Sequence, residues 1–100
     1  MSQKEIIKKI KEVIDCDPDK SYIQNIYIFG SFLHGDQNKN SDVDLLFEPK
    51  RKMGYFKLFA IQNRLIDKIG RDVELFTKNE LSKHFRNKVV NEAKRIYQND

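Results

Sequence analysis

The chain has 100 residues, with 19 Lys plus Arg against 15 Asp plus Glu and a formal net charge of +4. That length admits one compact domain, read over residues 1–100, and 39% hydrophobic residues exclude wholesale disorder. No run approaches the roughly 20 apolar residues that cross a bilayer, and the N-terminal MSQKEIIKKI is unlike a secretory signal, so the expected location is the cytoplasm with no membrane partner.

Residues 2–15 read as a helix, with Ser2 and Glu5 at capping-box spacing and Ile6, Ile7, Ile10, Val13 and Ile14 on one face. Asp17, Pro18 and Asp19 end it. Cys16, the sole cysteine, is read as a partly buried thiol; it excludes an intramolecular disulfide and any zinc site built on several thiolates. Residues 23–29, IQNIYIF, read as a strand that stops at Gly30. One short helix and the polar loop DQNKNS fill the span to Ser41. Residues 42–47, DVDLLF, read as a second strand closed by Glu48 and Pro49, and 54–69 as a helix that stops at Gly70. DVELF, 72–76, is a third strand. Thr77 and Glu80 repeat the capping-box spacing, and Leu81, Phe85, Val89, Ala93 and Ile96 predict a final helix out to about Tyr97. The order αβαβαβα predicts an α+β domain, α/β-like in its alternation, with a small mixed three-stranded sheet and helices packed on it.

Asp42 and Asp44 stand at i and i+2 of a strand and project from one face only about 7 Å apart. Ionised together they repel, so such a pair persists when water screens it, when it shares a proton, or when a cation lies between the two. Asp72 and Glu74 repeat the pattern. If the two strands are neighbours, either acid can join Asp42 and Asp44 to give three hard-oxygen ligands suited to Mg²⁺. Gly30 and Ser31 follow the first strand directly, where glycine permits positive φ and the following amides open toward an anion. Both features also have plain readings, as an exposed strand face and an ordinary turn.

Together, FGSFLHGDQNKNSDVDLLFE from Phe29 to Glu48 resembles the signature of the DNA polymerase β-like nucleotidyltransferases: Gly-Ser, ten residues, then Asp-x-Asp. Ser41, Glu48 and the later Val73-Glu74-Leu75 look like its minimal nucleotidyltransferase branch. The run Phe32, Leu33, His34 and a Glu at 74 depart from the commoner family pattern. The resemblance implies the polymerase β-like palm fold and transfer of a nucleoside monophosphate from a nucleoside triphosphate, ATP, to a hydroxyl. It implies that Asp42, Asp44 and Glu74 are catalytic and hold two Mg²⁺ ions, with Glu74 also helping to deprotonate the acceptor. It implies that Gly30 and Ser31 grip phosphates. Ser41 and Lys50 complete the expected nucleotide-binding set, with Arg51 and Lys52 beside Lys50 to neutralise pyrophosphate.

Larger members of that superfamily carry acceptor-binding domains for which this length has no room, so the resemblance implies a second polypeptide. In the minimal branch the companion is a HEPN-domain RNase toxin, and the small enzyme is the antitoxin that transfers AMP to a toxin tyrosine. Phe56, Phe59, Phe85 and Tyr97 are the candidate partner-facing aromatics. A module that neutralises its partner by contact alone is the alternative. A small nucleic-acid binder using the basic segments 50–52 and 78–95 is a third class, disfavoured because 15 acids dilute the positive charge.

Overall fold

Helix α1 (Gln3–Asp15) opens on the expected capping box: Ser2 Oγ accepts the Glu5 N–H at 3.2 Å, and Glu5 Oε1 accepts the Ser2 N–H at 3.5 Å. The computed structural model describes residues 2–35, 37–38 and 40–99; of the loop read at 36–41, Asp36 and Lys39 lie outside them. After α1 come β1 (Ile23–Phe29), the single-turn α2 (Ser31–His34), β2 (Val43–Pro49), α3 (Tyr55–Ile69), β3 (Val73–Phe76), α4 (Lys83–Glu92) and β4 (Lys94–Gln98). The sheet order is β3-β2-β1-β4, with β2 and β3 parallel and the other neighbours antiparallel.

Alternation along the strands sorts side chains onto two faces. Ile26, Ile28, Val43, Leu45, Phe47, Val73 and Leu75 meet Ile6, Ile10 and Ile14 of α1 and Leu58, Ile61, Leu65 and Ile69 of α3 in the main core. Each such burial contributes about 1.5–3 kcal/mol relative to an exposed side chain, and it is this face that fixes the register. The opposite face holds a smaller cluster of Phe29, Leu46, Leu81 and Val89, covered by α4. Acids at the starts of β2 and β3 therefore lie on the thinly covered side.

Several expectations are corrected. The sheet has four strands, because the last helix stops at Glu92 and 94–98 turn back as β4 against β1, with Ile26 opposite Tyr97. Ala93 and Ile96 continue the helical spacing, but Ala93 is extended (φ −61°, ψ 138°) and a partner about 70 residues away in sequence claims the segment. Tyr97 is consequently in the core and not partner-facing. The Thr77–Glu80 capping box forms as expected but heads only a 3-10 turn at 78–80, and α4 starts after Leu81 has been buried. Cys16, read as partly buried, is exposed.

A buried ion pair clips the α1–β1 connection to α3. Arg64 Nε and Nη2 donate to Asp17 at 2.8 and 2.9 Å, and Nη2 also donates to Asp19 at 2.8 Å, while Asp17 is only 7% exposed. Arg64→Met leaves the buried Asp17 carboxylate without its donors and is expected to cost about 2 kcal/mol in urea unfolding. A change within about 0.5 kcal/mol, ordinary for a surface site, would contradict the role given to this pair.

Candidate active site

Gly30 ends β1 with φ 75° and ψ −151°, a conformation essentially restricted to glycine. Its backbone lies against Asp44: a Cβ added at Gly30 would stand 2.5 Å from Asp44 Oδ2. Ser31 begins α2, and Leu33 and His34 N–H groups close the turn on Gly30 O at 3.1 and 3.3 Å. The unusual Phe32 is the anchor of this turn, fully buried in the main core. Gln3 Nε2 donates to Phe32 O and Leu33 O at 2.7 and 3.2 Å, so α1 satisfies the carbonyls at the end of α2.

Across the sheet, one row of the thinly covered face reads Phe29, Asp44, Glu74, since Phe29 pairs with Asp44 in β1/β2 and Asp44 with Glu74 in β2/β3. Asp42 lies just before β2 on the same side. Burial, then the negative charges of Glu74 and Asp42, holds the half-buried Asp44 carboxyl above its ordinary range. Glu74, rather than Asp72, is thus the third acid that Asp44 senses; Asp72 gives its backbone oxygen to the Val43 N–H at 2.9 Å and lines a shallow hollow with Ser41 and Asp42. Arg71 positions the approach to Asp42, donating to Asn38 O and Ser41 O at 2.8 and 2.9 Å. Ser41 Oγ accepts the Asn38 N–H at 2.8 Å, so it shapes this loop.

The structure does not bring Lys50 to the acids. It follows the far end of β2, about 20 Å along an extended chain from Asp44, and lines a hollow with Lys20, Ser21, Arg51 and Asn99. Arg51 lies 4.0 Å over the Tyr22 ring and donates to Ser21 Oγ at 2.8 Å, which fastens this basic run to the chain entering β1. Glu48 is also remote: it accepts from Tyr27 Oη at 2.8 Å and Asn25 Nδ2 at 3.0 Å and pairs with Lys78 at 3.0 Å. Burial raises the Glu48 carboxyl, but these donors outweigh it and hold the group below its ordinary range.

What sequence reasoning missed is the wall opposite the acids. A cleft of about 180 Å³ separates Gly30 and Asp44 from α4, whose Phe85, Lys88, Val89 and Glu92 line it together with Phe29 and His34. Helical spacing puts those four α4 residues on one stripe, yet no local signal says which strand the stripe faces.

The donor set fits a hard divalent cation. Among the described residues no three His, Cys, Asp or Glu side chains form a ready metal cage. Mg²⁺ does not require one, because it keeps waters and commonly takes one or two carboxylates together with substrate phosphates. Burial raises Asp44 most, and the further rise from the Glu74 and Asp42 charges is the repulsion that a cation beside Asp42 and Asp44 would relieve.

Comparison with known proteins agrees with this geometry. A protein of Methanocaldococcus jannaschii, named provisionally as a protein adenylyltransferase, is 33% identical over 89 residues, covering 89% of this chain and 88% of its own. The protein adenylyltransferase MntA of Shewanella oneidensis is 25% identical over 97 residues, covering 97% of this chain and 66% of its own. A crystal structure of a toxin-antitoxin with AMP-PNP superposes with a TM-score of 0.74 at 25% identity, over 94% of this chain and 74% of that one. The family described as polymerase beta, nucleotidyltransferase, matches residues 8–100. With the Gly-Ser turn packed on the Asp-x-Asp strand and an acid beside it on the next, the chain belongs to the polymerase beta nucleotidyltransferase family.

Proposed function

We propose that this protein transfers AMP from ATP to a hydroxyl of a protein partner, and that it serves as the antitoxin of a HEPN/MNT pair by modifying a toxin tyrosine. The observation that carries the chemistry is the lateral register of Asp44 with Glu74, beside Asp42 and under the Gly30 turn. Asp42 and Asp44 are the groups to hold Mg²⁺, which when bound would brace the triphosphate and stabilise the attacking and leaving oxygens. Gly30 and Ser31 receive the terminal phosphates at the start of α2. Glu74, exposed at the rim, takes the proton of the acceptor hydroxyl as the acceptor oxygen bonds to the α-phosphorus. The bond from that phosphorus to the bridging oxygen breaks, and pyrophosphate leaves.

The test is to incubate the chain, the HEPN protein encoded beside it and Mg²⁺ with ATP labelled on either the α- or the γ-phosphate. The partner should acquire α-label and no γ-label. γ-Label on the partner, or no label, would overturn the assignment.

Metal and pH dependence follow from the state of Asp44. Its raised value means that the folded, metal-free protein holds this proton more tightly than the unfolded chain. The group's contribution to stability is therefore complete below the ordinary aspartate range and declines as pH rises through the raised folded value. Metal-free thermal midpoints should show that decline, added Mg²⁺ should restore stability above it, and Asp44→Asn should flatten both responses. Equal Mg²⁺ responses in wild type and variant would place the ion elsewhere.

The exposure of Phe56 (93%) and Phe59 (52%) on α3 favours a second reading, neutralisation by contact alone. Asp42→Asn combined with Asp44→Asn separates it from the first.

A further inference from the structure

We propose that α4 is the second wall of the nucleotide cleft and that Lys88 neutralises the terminal phosphates of the bound nucleoside triphosphate. The inference rests on the nucleotide-binding part of the function proposed above. The floor of the site carries Asp42, Asp44 and Glu74, and a triphosphate adds more negative charge, so a cation must stand opposite. The basic run at 50–52 is at the wrong end of β2. Lys88 lines the same cleft as Gly30 and Asp44, and among the described residues it takes part in no ion pair. Its helix is fixed on both sides of it: Phe85 meets the Phe29 ring edge-on at 6.3 Å, and Val89 is buried against Phe29 and Leu46.

A second feature of the same wall bears on how nucleotide enters. His34 Nε2, one turn past Gly30, lies 3.3 Å from Glu92 Oε2, one turn past Lys88, and both residues line the cleft. At about 180 Å³ the cleft is smaller than the roughly 300–1,000 Å³ of ordinary ligand pockets. Both side chains are about half exposed (51% and 41%), so the contact is weak enough to be exchanged. Triphosphate binding exchanges this contact, giving Lys88 and His34 the phosphates and moving the Glu92 charge away.

The experiment is calorimetric titration of the full chain with Mg²⁺ and AMP-PNP, and separately with AMP, which lacks the terminal phosphates. Lys88→Met should weaken AMP-PNP binding about tenfold or more and change AMP binding little, Lys88→Arg should recover most of the loss, and Glu92→Gln should tighten AMP-PNP. Lys88 is exposed, so a matching thermal midpoint will show that the variant folds. Wild-type affinity for AMP-PNP in Lys88→Met, or equal losses for AMP and AMP-PNP, would overturn the inference while leaving the family chemistry in place. No binding of AMP-PNP by wild type would overturn both.

Discussion

Asp42→Asn combined with Asp44→Asn is expected to lower AMP transfer by about a thousandfold or more without unfolding the chain. Hard-cation stabilisation of phosphoryl charge is worth several kcal/mol, and each 1.36 kcal/mol is a factor of about ten in rate. The fold should survive because Asp42 is exposed and Asp44 half-buried, and neither is an ion-pair partner in the core. Replacing Asp44 removes a charge that burial, Glu74 and Asp42 all disfavour, so the metal-free thermal midpoint should hold or rise. Initial rates of α-label incorporation, paired with thermal melts, check both halves. Transfer within tenfold of wild type would exclude these carboxylates as the metal-holding pair. If transfer is lost but the variant still protects cells from the partner, neutralisation runs through contact, and Phe56 and Phe59 become the residues to replace.

Among the four glycines, Gly30→Ala should be the most damaging substitution. An alanine there meets two penalties: backbone strain of about 1–3 kcal/mol at φ 75°, ψ −151°, and a Cβ 2.5 Å from Asp44 Oδ2 that forces the carboxylate aside. At about 4–8 °C per kcal/mol for a domain of this size, the thermal midpoint should fall by roughly 5–20 °C. Activity should fall with it at temperatures where the variant is still folded. Gly35 supplies the control, since it also has positive φ (76°) but a Cβ there would meet nothing within 4 Å. Gly35→Ala should thus show a modest loss of stability, from strain alone, and near-normal transfer. Equal effects at the two positions would mean that contact with Asp44 does not matter.

Much of this architecture was legible because it is written in local signals. The Ser2–Glu5 capping box, the isoleucine stripe of α1, the strand ending at Gly30 and the α3 pattern ending at Gly70 all depend on residues within a few positions of one another. The conjunction of Gly30-Ser31 with Asp42 and Asp44 is likewise confined to one short stretch of chain. The structure adds the long-range placements. Whether Glu74 or Asp72 stands by Asp44 depends on the β2/β3 register, and a shift of one residue would turn the acids of β3 to the other face. β4 was hidden because Ala93 and Ile96 fit a helix equally well; only the open edge of β1 decides. Lys50 was drawn in by nearness in sequence, whereas an extended strand carries it away, and Lys88, distant in sequence, arrives on α4. Phe32, an oddity as sequence, is the core anchor of the Gly30 turn.

The central claim is that the Gly30 turn and the β2/β3 acids form one metal-dependent nucleotide site, and a crystal grown with Mn²⁺ and AMP-PNP tests it most directly. An anomalous manganese peak between the Asp42 and Asp44 carboxylates, with the triphosphate along Gly30 and Ser31, is the predicted result. A peak away from both aspartates would contradict it. So would nucleotide seated in the groove of about 500 Å³ at the far ends of β2 and β3, beside Phe47, Tyr55 and Lys78.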